Sequence, residues 1–171
     1  MKILETKRLF LRQIELDDAE FILKLLNEPS FIQNIGDRGV RTLDDACNYI
    51  TDRLIASYEK FGFGMYLTTL KDTEAAAGLC GLVKRDGLDD IDIGYAFSPR
   101  HQSKGYATEA ALAVKEYAKN TIGLKRLVAI TDPANQGSIH VLEKIGLKFE
   151  KMTRLSEDDI ELKLYGINFT D

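Results

Sequence analysis

Between residues 91 and 122 the chain passes from a strand through a tight turn into a helix, and that turn narrows the folds open to it. Ile91, Ile93, Tyr95 and Phe97 alternate onto one face of the strand, while Asp92, Gly94 and Ala96 take the other. Pro99-Arg100-His101-Gln102-Ser103-Lys104-Gly105-Tyr106-Ala107-Thr108-Glu109-Ala110 follows, and Ala107, Ala110, Ala111, Val114, Ala118 and Ile122 then recur along one helical stripe. The first N–H groups of a helix have no intrahelical acceptor, and the helix dipole adds about half a positive charge there. Gly105 and Ala107 put little bulk before those amides, and Lys104 adds a full charge. The arrangement predicts an anion site suited to a diphosphate. Taken alone, it reads equally well as an ordinary loop. The P-loop pattern is excluded, because the lysine precedes a single glycine, and the three-glycine dinucleotide fingerprint is excluded because only Gly105 is present.

The flanking segments supply the rest of an α+β domain. Residues 8–14 read as a strand. Asp17 and Asp18 then open a helix carrying Phe21, Ile22, Leu25 and Leu26, and Pro29 is expected to stop it. Residues 30–42 lack periodicity and read as an irregular, mobile connection. A second helix is expected over 42–58, with Ala46, Tyr49, Ile50, Arg53 and Leu54 at helical intervals. Strands at 64–71, 76–85 and 90–98, joined by turns at Lys71-Asp72 and Asp86-Gly87, predict an antiparallel meander. The apolar run 127–130 should lie parallel to the strand before the loop helix, since strand–helix–strand units cross over right-handedly. A helix over 136–145 ends at Gly146, and strands at 147–153 and 160–168 close the chain.

At 171 residues, with 44% hydrophobic and 29% charged side chains, the chain is of single-domain size and of ordinary globular composition, so one domain spanning 1–171 is expected. Its net charge of −4 argues against a nucleic-acid surface and suits a cationic substrate. Cys47 and Cys80 lie far apart without metal-ligand spacing, which reads as two reduced structural thiols. The N-terminus lacks a signal-peptide core and charges interrupt every longer apolar run, so a cytoplasmic protein without membrane contact is expected.

Gln102, Gly105 and Ala107 resemble the Gln/Arg-x-x-Gly-x-Gly/Ala loop of the GNAT superfamily of N-acetyltransferases. Asn135-Gln136-Gly137-Ser138 with Leu142-Glu143-Lys144-Ile145-Gly146-Leu147 is similar to the superfamily's second motif. Glu5-Thr6-Lys7-Arg8-Leu9-Phe10-Leu11-Arg12 with Asp17-Asp18-Ala19 resembles the opening of the branch that acetylates ribosomal-protein N-termini (RimJ/RimL-like). The resemblance implies a mixed, mostly antiparallel sheet whose two parallel strands splay apart to admit the pantetheine arm of acetyl-CoA. It implies that the backbone near Tyr95 and Phe97 holds that arm, that Phe97's main chain serves the thioester oxygen, and that Gln102, Ser103, Lys104, Gly105, Tyr106, Ala107 and Thr108 bind the diphosphate. Asn135 and Ser138 would hold the arm from the far side. The helices over 17–58 and their connection would form part of the acceptor site. The acceptor would be a primary amine, either a peptide N-terminus or a small molecule such as a polyamine or aminocyclitol antibiotic, and the protein a monomer or homodimer that needs no metal.

Transfer to an amine requires a proton acceptor before attack and a proton donor for the departing thiolate. Asp92 is the candidate base, against the simpler reading of an exposed strand carboxylate. Leu142 stands where many relatives carry a tyrosine, so Ser138 becomes the candidate acid, with helix capping as its simpler role. The missing tyrosine also keeps open a non-catalytic acyl-CoA sensor or interaction module. His101 and His140 read as surface side chains, Glu109 as a dipole-favouring residue of the helix start, and Phe61, Phe63 and Tyr66 as core.

Overall fold

Alternating apolar residues build one eight-stranded sheet, and helical apolar stripes cover both its faces. The computed structural model describes residues 1–169. In chain order the strands are β1 (Lys2–Glu5), β2 (Leu9–Arg12), β3 (Met65–Leu70), β4 (Ala76–Val83), β5 (Asp92–Phe97), β6 (Arg126–Thr131), β7 (Lys148–Thr153) and β8 (Leu162–Asn168). The helices are α1 (Ala19–Leu26), α2 (Pro29–Asn34), α3 (Leu43–Tyr49), α4 (Ala56–Phe61), α5 (Tyr106–Tyr117) and α6 (Gln136–Lys144). Wider π-helical turns join α3 to α4 and prolong α5 to Ile122. The sheet order is β1-β2-β3-β4-β5-β6-β8-β7, antiparallel at every edge except β5–β6. The expected meander, parallel crossover and two closing strands are all present, the last two paired antiparallel.

Three local expectations are corrected. Residues 2–5 form an edge strand that the sequence pattern did not reveal, paired with β2. Pro29 does not stop α1, which already ends at Leu26; it occupies the first turn of α2, where its fixed φ suits a helix start and its missing N–H costs nothing. The 30–42 connection is therefore partly helical. Phe61 is 39% exposed and stacks on the buried Phe63 from outside, whereas Tyr66 lies in the core.

Thr42 sets the start of α3 through a reciprocal cap: its hydroxyl accepts from the Asp45 amide (3.0 Å), and Asp45 accepts from the Thr42 amide (3.2 Å). Ile22, Leu25, Leu26, Ala46 and Ile50 pack on one sheet face against Leu67 and Leu79. The opposite face receives α5 and α6 through Ala110, Ala111, Val114, Ile139 and Leu142. The small α5 side chains let that helix lie close to β4 and β5, which places its N-terminus at the end of β5.

Gly78 pairs with Phe97 across β4 and β5, and a Cβ there would stand 2.4 Å from the Ala96 carbonyl oxygen and 2.8 Å from Phe97 Cα. Both neighbours are backbone, so β5 would have to move. Gly78→Ala is expected to destabilise the fold by about 1–3 kcal/mol, the usual range for overpacking, measured by urea unfolding.

Candidate functional site

β5 and β6 join at one position. Asp92 faces Val128 in parallel register, the Val128 amide donates to the Ile91 carbonyl at 3.1 Å, and no further register pair links the two strands. Beyond Asp92 they part, leaving an open wedge between the halves of the sheet. A side chain bridges that wedge. The Tyr95 hydroxyl donates to the Ser138 carbonyl at 3.0 Å and lies 2.9 Å from Ser138 Oγ. Asn135 caps α6 by accepting the Ser138 amide at 3.2 Å. The capping role expected of Ser138 thus belongs to Asn135, and the Ser138 hydroxyl is directed to Tyr95. Burial pushes the Tyr95 phenol up from its ordinary value, with Ser138 pulling the other way, so it keeps its proton at neutral pH.

At the far end of β5 the chain makes one short helical turn over Pro99–His101 and then the loop. The Gln102 amide donates to the Pro99 carbonyl (3.2 Å), and its side-chain amide donates to the Phe97 carbonyl (2.9 Å). Gln102 therefore shapes the turn. Ser103 (φ 61°) and Gly105 (φ 84°) both adopt left-handed conformations. No side chain caps α5, and among the described residues the amides of residues 103–108 donate to no protein acceptor. Ser103, Lys104, Gly105, Tyr106, Ala107 and Thr108 thus present a run of open N–H groups at a helix start, the geometry that holds phosphate oxygens. A cavity of about 650 Å³ opens beside the preceding turn, lined by Phe21, Lys24, Ala76, Ser98, Arg100 and His101. His101 is half-buried, with Nδ1 2.8 Å from Ser98 Oγ; desolvation, then Arg100 and Lys104, hold its pKa below the ordinary histidine value. His140 is exposed.

Asp92 is 1% exposed, so the exposed-carboxylate reading is excluded. Its Oδ2 accepts from Arg85 Nε at 2.8 Å, while Oδ1 has no partner among the described residues. Burial raises the Asp92 pKa against the opposing pull of Arg85. The buried carboxyl therefore stands where the wedge begins. Leu142 is 1% exposed in the core, so no hydroxyl comes from that position.

Glu109 does more than favour the helix dipole. One oxygen accepts from Thr6 Oγ1 (2.5 Å) and the Arg8 amide (2.9 Å), and the other from Arg8 Nε (2.7 Å). These bonds tie the start of α5 to the turn between β1 and β2. Arg8, Arg85 and the side-chain role of Tyr95 escaped the sequence reading, because partners dozens of residues apart leave no periodic signal.

Residues 8–148 match the family model of the acetyltransferase (GNAT) domain. The chain is 32% identical over 145 residues to the uncharacterized N-acetyltransferase YnaD of Bacillus subtilis, across 85% of this chain and 82% of that one. A solved GNAT-family acetyltransferase from Bacillus anthracis superposes with a TM-score of 0.80 at 26% identity, over 98% of each chain. The ribosomal L7/L12 α-N-protein acetyltransferase RimL, solved in complex with coenzyme A, shares the fold with a TM-score of 0.83 at 16% identity, over 98% of each chain.

Burial acting alone would raise the Glu109 pKa, but the bonds from Thr6 and Arg8 outweigh it and hold the carboxylate below its ordinary 4.5. A depressed folded-state value stabilises the fold above the ordinary pKa and ceases to do so as pH falls through the folded value. The stability difference between the wild type and Glu109→Gln should therefore be largest at pH 6–7 and shrink steadily below about pH 4.5, as read by urea unfolding across pH.

Proposed function

The chain belongs to the acetyltransferase (GNAT) domain family, and from that premise we propose that it acetylates a primary amine directly from acetyl-CoA, with both substrates bound together. The observation that carries the reading is the run of open amides at 103–108 on the same strand–helix unit that carries the wedge and Asp92. Acetyl-CoA supplies the activated acetyl thioester. The loop amides and Lys104 fit its diphosphate, and the edge of β5 at Tyr95 and at the Phe97 amide, which no strand covers, fits its extended arm. Asn135, fixed as the α6 cap, and Ser138 border that arm from the β6 side.

Asp92 takes the role of base. Its raised pKa brings it closer to neutrality than an ordinary aspartate, and Arg85 steadies the carboxylate. Ser138, its hydroxyl positioned by Tyr95, relays a proton from solvent to the departing sulfur, regaining one as it gives one up. The main chain at Phe97, a strand's length from Asp92, holds the arm near the diphosphate rather than the thioester oxygen. The acceptor is a peptide N-terminus or a small amine; the RimL fold supports the former, and the net charge of −4 suits either. One domain acting in the cytoplasm as monomer or homodimer, apart from nucleic acid and membranes, completes the proposal. Among the described residues, no helix is long and apolar enough to cross a membrane.

Thiol release from acetyl-CoA against a panel of peptides, polyamines and aminoglycosides tests the reading. Turnover with one class names the acceptor, whereas coenzyme binding without turnover across the panel favours a sensor. With an acceptor in hand, kcat/KM should climb with pH through the raised Asp92 pKa, since only the ionised carboxylate accepts a proton. Asp92→Asn should flatten that limb and lower kcat about 100-fold or more. Retention of turnover within about threefold would remove Asp92 from the chemistry.

A further inference from the structure

The opening motif has no role in the chemistry just described, yet it reaches the anion loop. Arg8 lies 101 residues before Glu109, and its guanidinium spans the start of α5. Nε donates to Glu109 (2.7 Å), Nη1 donates to the Lys104 carbonyl (3.1 Å), and the guanidinium carbon lies over the Tyr106 ring, 4.4 Å from its centroid. An arginine serving only as a tether to a carboxylate commonly closes a two-pronged fork with both oxygens. Here the guanidinium gives Glu109 one nitrogen and the loop another. Nη2 has no protein acceptor among the described residues, and it stands 3.2 Å from where a Cβ on residue 105 would sit.

We propose that Arg8 is a diphosphate-binding residue: its Nη2 completes the anion site formed by the amides of residues 103–108 and makes the protein selective for acyl donors that carry a diphosphate. The assignment rests on the acetyl-CoA reading. Three contacts fix the guanidinium in place before any ligand arrives, so little side-chain freedom remains to be lost on binding. Gly105 is required twice over. Its φ of 84° disfavours any side chain, and a Cβ would press on the guanidinium. Acyl groups carried on pantetheine alone lack the phosphates that Arg8 contacts, so they do not benefit from it.

The test is calorimetry of CoA and dephospho-CoA with the wild type, Arg8→Ala and Arg8→Lys, alongside KM for acetyl-CoA and S-acetylpantetheine. Circular dichroism and thermal melting establish that each variant is folded, and the lysine variant keeps a charge should alanine loosen the loop. Arg8→Ala is expected to weaken CoA and dephospho-CoA equally, by about 10- to 100-fold, and to leave the KM for S-acetylpantetheine within twofold. Arg8→Lys should fall between, because lysine keeps the charge but not the planar fork. Glu109→Ala releases the loop while keeping the arginine; if it weakens CoA as much as Arg8→Ala does, or if Arg8→Ala weakens all three donors equally, Arg8 is a loop tether and the proposal is overturned. A loss confined to CoA would move the contact to the 3′-phosphate and overturn it as well, as would unchanged affinity. A folded wild type that binds no CoA sinks the acetyl-CoA reading itself, and the Arg8 assignment with it.

Discussion

One parallel pairing, Asp92 against Val128, holds the two halves of this sheet together, and the function depends on its being alone. Were β5 and β6 paired along their length, their main-chain groups would satisfy one another and the sheet would have no opening. Because they separate after one register position, the inner edge of β5 beyond Asp92 has no neighbouring strand. A buried unpaired amide or carbonyl costs about 1–3 kcal/mol. Such an edge persists only where water or an extended ligand reaches it, and an arm bearing amides meets that need as an added strand would.

The halves must still be held at a fixed distance, and side chains do that work. The Tyr95–Ser138 contact spans the wedge, and α5 packs against both β5 and α6. On the opposite side, Glu109 fastens the α5 start to Thr6 and Arg8. The loop amides are therefore anchored at three points: the β5 end through Gln102, the β1–β2 turn through Glu109, and the sheet surface through the α5 alanines. An anion site made of backbone N–H groups works only if the backbone is immobile, since the donors cannot adjust by rotating a side chain.

This division explains what the sequence disclosed. The alternation in β5, the alanine stripe of α5 and the asparagine before α6 are local patterns, and each predicted its element to within a few residues. The open amides at the α5 start were legible because a helix start announces itself chemically. The setting of Asp92 was only half legible. Alternation placed Asp92 opposite Ile93 and Tyr95, but whether that face is solvated depends on the α1–α4 layer and on Arg85, which no spacing rule connects to it. Arg8 and Glu109 illustrate the same limit, for an ion pair formed across 101 residues has no period. β1 was missed because four residues ending in glutamate carry too little alternation to register.

The average charge is a poor guide to the field inside such a molecule. The chain is acidic by four charges, yet Arg8, Arg100 and Lys104 gather at the C-terminal end of β5, where Glu109 is the nearby acid and is already committed to Arg8. The acids concentrate elsewhere. Asp86, Asp89 and Asp90 occupy the loop before β5, and Glu157, Asp158 and Asp159 occupy the β7–β8 loop, alongside Lys84, Arg85 and Arg154, with Asp90 paired to Arg126. These two loops touch, since a Cβ on Gly87 would meet the Leu155 carbonyl at 2.3 Å. β5 has six residues, so its ends lie on the order of 16–20 Å apart, about two screening lengths at physiological salt. Over that distance opposite fields coexist without cancelling. Under the proposed function, such a separation would let a polyphosphate be favoured at the loop end while the acceptor amine approaches the opposite end, where Asp92 is paired with Arg85.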